Sequence, residues 1–240
     1  MDVCINSRVY VPTGGGGGGT ITHVQSGGTP TDNSASASRA TASNVTSGNL
    51  LVIQVTSFKS SNDPFVVGDI SQSAGTATLG SFSLDVQRNY NYTGSSYLNT
   101  AIFSAIVSGS GSCTITVGGA PADSYWNLVV GEFSSSTGWD SSRLEDSDYG
   151  EGASGAPATG DGTCASSGLF IGGVSLAGET SITITEDSAF SLMDEEENGT
   201  LHMTGSGIYR IVSSGTTDAA SWTAPTTEEW SAVLAVYKTV

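Results

Sequence analysis

The strongest constraint on how this chain can fold is that it repeats itself. Ser47-Gly48-Asn49-Leu50-Leu51-Val52-Ile53 finds an echo in Ser167-Gly168-Leu169-Phe170-Ile171-Gly172-Gly173. Ile102-Phe103-Ser104-Ala105-Ile106-Val107-Ser108-Gly109 parallels Ile208-Tyr209-Arg210-Ile211-Val212-Ser213-Ser214-Gly215. Trp126-Asn127-Leu128-Val129-Val130-Gly131-Glu132-Phe133 then matches Trp230-Ser231-Ala232-Val233-Leu234-Ala235-Val236-Tyr237. The three matches come in the same order, which marks an internal duplication with pseudo-repeats over about 44–135 and 163–238.

Each repeated segment reads as a strand. Apolar and β-branched runs recur between Gly, Ser, Asn and Asp turns at 50–58, 76–86, 99–107, 113–117 and 126–133. A second series lies at 169–176, 181–185, 207–212, 221–222 and 230–237. No stripe of period 3.6 appears; only 187–193 hints at a helical turn. The spacing predicts an all-β fold, a jelly-roll-like β-sandwich of about ten strands. Each half alone is near the lower size limit for a stable core, so the halves are expected to pack together. The runs at 50–55 and 128–130 are apolar on both faces and belong in sheet centres.

The first nineteen residues stand apart as an arm, with 20–240 as the body. Val3, Ile5, Val9, Tyr10 and Val11 form a short alternating stretch ended by Pro12, and Gly14 to Gly19 follow as six consecutive glycines. Such a run predicts a flexible hinge. Its formal GxGxxG match reflects low complexity, because a strand-like Thr20-Ile21-Thr22-His23-Val24 follows where a helix would be needed.

Charge excludes several functions. The 23 acids against 7 bases give a net charge of −16, and the bases are scattered singly. Phosphate binding needs clustered Lys and Arg, so nucleic acid and anionic membrane surfaces are excluded as partners. Residues 1–11 lack the pattern of a secretory signal, from which synthesis and assembly in a cytoplasm are expected. Cys4, Cys113 and Cys164 make no CxxC pair; idle buried thiols are the main reading, and a Cys113–Cys164 disulfide the other.

Few residues carry candidate chemistry. There is no G-x-S-x-G elbow, and His23 and His202, the two histidines, both fall in strand-like segments. Asp146-Ser147-Asp148-Tyr149-Gly150 loosely resembles the start of a calcium loop, within a Gly/Ala-rich segment between the halves. The remaining ligands of that pattern are missing, so an unliganded acidic loop is the main reading and calcium at Asp146 and Asp148 the lesser one. Asp194-Glu195-Glu196-Glu197 concentrates like charges and is expected in solvent. Trp126 and Trp230 occupy equivalent repeat positions and are expected in the core. Tyr90, Tyr92 and Tyr97 fall in a polar stretch and are the better candidates for an exposed ligand-binding surface.

The Gly48-Asn49-Leu50-Leu51-Val52 segment, Ser108-Gly109-Ser110-Gly111-Ser112 with Thr114-Ile115-Thr116-Val117, and the Trp126–Phe133 strand together resemble a diffuse group of bacterial and bacteriophage β-sandwich proteins of virions and cell surfaces. The resemblance covers most of 44–240, leaves the arm outside, and transfers no catalytic residue. It implies a non-enzymatic virion structural protein. The specific expectation is a capsid decoration or cement protein that forms a homo-oligomer and docks on a major capsid protein through the arm, by strand addition or by packing into a groove. A carbohydrate-binding module using the Tyr90–Tyr97 loop is the alternative, and a subunit of an extracellular filament the third reading.

Overall fold

The computed structural model describes residues 19–27, 30–32, 36–91, 93–118, 125–177, 182–198 and 203–240. The first half contains β1 (Ile21–Ser26), β2 (Pro30–Asp32), β3 (Ser36–Ala40), β4 (Leu50–Lys59), β5 (Ile70–Gly75), β6 (Thr78–Leu79), β7 (Ser83–Asn91), β8 (Tyr97–Gly109), β9 (Cys113–Gly118) and β10 (Tyr125–Ser135). The second contains β11 (Trp139–Ser154), β12 (Gly162–Cys164), β13 (Gly168–Ala177), β14 (Thr185–Glu186), β15 (Ser191–Asn198), β16 (Met203–Val212), β17 (Thr216–Asp218), β18 (Trp222–Thr223) and β19 (Glu228–Thr239). The chain is all-β, with antiparallel sheets packed face to face as in a sandwich. Of residues 187–193, with their hint of a helix, 187–190 form a turn and 191–193 begin β15.

The duplication is written into the pairing. The first half's main sheet runs β1-β10-β4-β8-β7, with the short β6 beside β7 on β8; the second half's runs β11-β19-β13-β16-β15. Outside these, β3 pairs β9 and β12 pairs β17. Matched strands therefore occur in the same chain order and have the same neighbours. This extends the correspondence to β1 and β11, so the Gly/Ala-rich segment holding Asp146 and Asp148 is the first strand of the second half.

Register makes the match residue-specific. Leu50 pairs Phe133 and Leu169 pairs Tyr237, while Ser57 pairs Trp126 and Leu176 pairs Trp230. For β8 and β16 the structure corrects the sequence match by one residue. Phe103 opposes Ile53 and Ile208 opposes Gly172, so Ile208 is the counterpart of Phe103, not of Ile102. A one-residue slip exchanges the two faces of a strand, and both faces here are apolar, so composition could not detect it.

Both faces of each main sheet are buried, and the alternation along the strands assigns them. Leu51, Ile53 and Val55 point with Phe103, Trp126 and Leu128 into a core closed by Ala37, Ile70, Ile115 and Val117 of the β2-β3-β9-β5 sheet. Phe170, Ile208, Leu234 and Val236 point into a separate core closed by Cys164, Ile184, Ala220 and Trp222. The alternate residues meet between the main sheets: Leu50, Val52, Val129 and Phe133 against Leu169, Ile171, Val233 and Tyr237. These are the same positions of the two repeats, so the halves associate as a symmetric dimer would, within one chain. The molecule is thus a stack of four β layers. Strands are not shared between halves among the described residues, and the halves fuse through faces.

Candidate functional site

The seam between the halves is apolar at one end and polar at the other, and its polar groups are the most chemically distinctive in the fold. Gln54 and Thr56 of β4 enter it opposite Gly173 and Ser175, their repeat counterparts. A Cβ on Gly173 would lie 2.5 Å from Gln54 Cγ, and one on Gly205 would lie 2.7 Å from Thr56 Oγ1. Small residues in the second half therefore make room for the larger side chains of the first. Thr100 Oγ1 donates to Ser231 O at 3.0 Å and Asn127 Nδ2 donates to Glu196 O at 3.0 Å, both across the seam.

The seam opens at one edge into a cleft of about 280 Å³ lined by Ser83, Asp85, Ser141, Ser142, Arg143 and Leu144. A bulge in β7 between Leu84 and Val86 turns Asp85 inward. There its carboxylate accepts from Tyr237 OH at 2.7 Å. Arg143 reaches over from the second half, with Nε donating to Ser104 Oγ at 3.0 Å and Nη2 to Ser83 Oγ at 3.2 Å. Burial pushes the Asp85 carboxyl up from 3.8, opposed by hydrogen bonds from Ser104 and Tyr237 and by the Arg143 charge. Burial and the adjacent Asp85 push the Tyr237 phenol well above 10. The chain Arg143–Ser104–Asp85–Tyr237 links β11, β8, β7 and β19, so it fastens one half to the other. Its chemistry suits holding a polar ligand in the cleft through Arg143 and the serine hydroxyls.

A second fastening lies on the opposite edge. Arg39, on the outer sheet of the first half, is buried and forms ion pairs with Asp194 and Glu196 of β15 while donating to Leu128 O. The acidic run is therefore not simply solvated, because two of its carboxylates are consumed by a cation that sequence places 155 residues away. Nearby, Glu132 is fully buried and accepts from Thr46 N and Asn49 Nδ2 at 2.7 Å and from Gln25 Nε2 at 2.6 Å.

The sequence candidates are dispersed. Tyr90 turns into the seam and donates to Glu229, which with burial pushes its phenol up to about 12. Tyr97, opposite Asn91 in the next pairing, lies on the other face of the sheet, so Tyr90 and Tyr97 do not form a common platform. Tyr92 lies outside the described residues, as do His202 and the docking set Val3, Ile5, Val9, Tyr10 and Val11. Asp146 and Asp148 stand on β11, a strand and not a loop. Asp146 accepts from Thr163 N at 2.8 Å and Asp148 from its neighbour Tyr149 N at 2.7 Å. No group of three or more metal-ligating side chains converges among the described residues. His23 stacks on Tyr209 at 4.6 Å and tilts against Phe133 at 5.2 Å, inside the seam. Cys113 and Cys164 are free thiols in two different cores, which removes the disulfide reading.

Gly19 and Thr20 are tied down by side chains far along the chain. Gly19 N donates to Thr239 Oγ1 at 3.0 Å and Thr20 N donates to Ser136 Oγ at 2.9 Å. A shallow cleft of about 140 Å³ there is lined by Gly19, Thr20, Ile21, Ser167, Ile211, Val212 and Ser213.

Asp85, Arg143, Tyr237 and Arg39 were not candidates from sequence. The one local signal was Asp85 itself, an acid between Leu84 and Val86 in an otherwise strand-like run. No family model matches this chain, and neither a curated protein nor a solved structure is similar to it at a significant level.

Proposed function

We propose that this chain is a non-enzymatic structural protein of a bacteriophage virion, a decoration or cement protein docked on a capsid through residues 3–11. The observation that carries the reading is the anchoring of Gly19 and Thr20 against Thr239 and Ser136. The arm then departs from a fixed point on a body whose halves are fastened at both edges of their seam. A tether with a fixed origin raises the effective concentration of the body at the place its arm grips. The net charge of −16 suits an exposed, soluble exterior.

The test is to purify the chain with and without residues 1–18 and add each to particles lacking it. Loss of particle binding with an unchanged melting temperature supports arm docking. Full occupancy by the shortened chain overturns it. The carbohydrate-binding alternative rests on the Arg143 cleft with its serine hydroxyls, because Tyr90 and Tyr97 face apart. A glycan array in which binding is lost on Arg143→Ala but kept on Tyr97→Ala would favour it.

A further inference from the structure

The duplication supplies an internal control for every position, and at one place the two halves differ sharply. In the first half Trp126, Ser57, Asn99 and Asn89 form one cross-strand row on the face away from the seam. The side chains of Trp126, Ser57 and Asn99 are at most 1% exposed. The Trp126 Nε1, the Ser57 Oγ, both amide atoms of Asn99 and the Asn89 Oδ1 find no hydrogen-bond partner in the protein. Gln87 Oε1, one row away, and Ser61 Oγ are in the same condition. In the second half the corresponding row is Trp230, Leu176 and Thr204. There Trp230 Nε1 donates to Ser154 Oγ at 3.1 Å, Thr204 Oγ1 donates to Ile182 O at 3.2 Å, and Leu176 has nothing to satisfy.

Buried polar groups without partners are costly, so a whole row of them points to something that binds there. Lys59, one row further along β4, indicates its charge. It is 2% exposed, its ammonium lies 4.5 Å from the Phe65 ring centre and 5.4 Å from that of Trp126, and among the described residues its hydrogen bond is to Asp63 O at 2.8 Å. No carboxylate of the described residues comes within ion-pair distance of it. Burial pulls the Lys59 pKa down, against the opposing charges of Asp63 and Asp69. The loop 60–69 closes over the row through Lys59 to Asp63 O, Gln87 Nε2 to Phe65 O at 3.1 Å, and Asn89 Nδ2 to Asn62 Oδ1 at 2.7 Å.

We propose that the row beneath loop 60–69 is a binding site for a small anion, a halide or a short carboxylate, held by Lys59, Trp126 Nε1, Asn99 Nδ2 and Ser57 Oγ. The ammonium has two unused donors, the indole one and the amide two, on neighbouring positions of the row. A monoanion would bring a counter-charge into contact with an ammonium that Asp63 and Asp69 influence only from beyond ion-pair distance. The oxygens of Asn89 and Gln87 then accept from water. The loop presents Val66 and Val67 to solvent.

The full-length protein should be crystallised from bromide and, separately, from formate. The expected result is a bromine anomalous peak within hydrogen-bonding distance of Lys59 Nζ and Trp126 Nε1, replaced by formate density in the second crystal. In solution, bromide exchanged for gluconate at constant ionic strength should raise Tm saturably, and Lys59→Met should abolish that rise. Water alone in the row overturns the proposal, as does a bromide response that survives Lys59→Met. Should Lys59→Met fail to fold, Asn99→Ser provides the second variant, with a bromide midpoint raised roughly tenfold, the loss of about one hydrogen bond to a charged group.

Discussion

Replacing Arg39 by Met would test whether the two halves are held together by electrostatics at their edge. The change keeps an unbranched aliphatic stem in the same packing and removes the guanidinium. Arg39 has 3% side-chain exposure, Glu196 11% and Asp194 31%. Removing one partner of a fully buried pair costs about 3–5 kcal/mol, because the other charge stays behind without compensation. Glu196 is nearly in that limit. Asp194 can turn partly to water, so its share is closer to the ~1 kcal/mol of an exposed pair. The lost bond to Leu128 O, a buried carbonyl, works in the same direction. The expected loss is about 3–4 kcal/mol, measured by urea unfolding, with a fall in Tm of roughly 6–16 °C for a chain of this size. The reasoning also specifies a rescue. In Arg39→Met/Asp194→Asn/Glu196→Gln no charge is stranded, and about half of the lost stability should return. A single variant within ~0.5 kcal/mol of the parent, or a triple variant no better than the single, would refute the account.

Three further outcomes follow from the seam and cores. Gly205→Val places a Cβ 2.7 Å from Thr56 Oγ1 and 2.9 Å from Asn127 Nδ2, so overpacking should cost about 1–3 kcal/mol in thermal melts; an unchanged Tm would show the seam to be loose. Asp85 has a folded pKa raised above its unfolded value of 3.8, so its proton stabilises the fold fully below 3.8 and this contribution is lost as pH rises through the folded value. Asp85→Asn should therefore be at least as stable as the parent at pH 7 and lose that advantage as pH falls to 4, whereas a constant difference across pH 4–8 would count against it. Burial pushes the Cys113 thiol up to about 11 and the Cys164 thiol up as well. Peptide mapping after iodoacetamide at pH 8 should find both unmodified in native protein and both modified in urea.

Much of the fold was legible because β structure advertises itself locally. The runs at 50–58, 99–107, 126–133, 169–176 and 230–237 all emerged as strands, and each corresponds to a strand buried on both faces or central in its sheet. The extended β11 was missed because its Asp, Ser and Gly content reads as a loop; it is a strand because β19 pairs it without interruption from Asp146 to Ser154. In the outer layer β12 and β17 carry too few residues to show a period, and the runs at 181–185 and 221–222 meet β14 and β18 at one residue each.

The candidate sites were less legible. Tyr90 and Tyr97 are seven residues apart in a polar stretch, and only pairing across the β7–β8 turn shows that they face opposite ways. Arg39 and Asp194, or Asp85 and Arg143 with Tyr237, meet only because two sheets stack, and no local pattern records a contact across 155 or 152 residues.

What the sequence determined by itself is therefore the repeat, the strand character of its members, and the apolar character of both faces of the central strands. Those follow from residue types at short separation, where pleating and propensity operate. The tertiary structure decided which face of each strand meets which layer and that the halves join through equivalent faces. It also decided that one row of polar side chains is satisfied in the second half and unsatisfied in the first. These depend on one-residue register and on side chains more than a hundred positions apart, and hydrophobic burial is indifferent to both until the sheets are stacked.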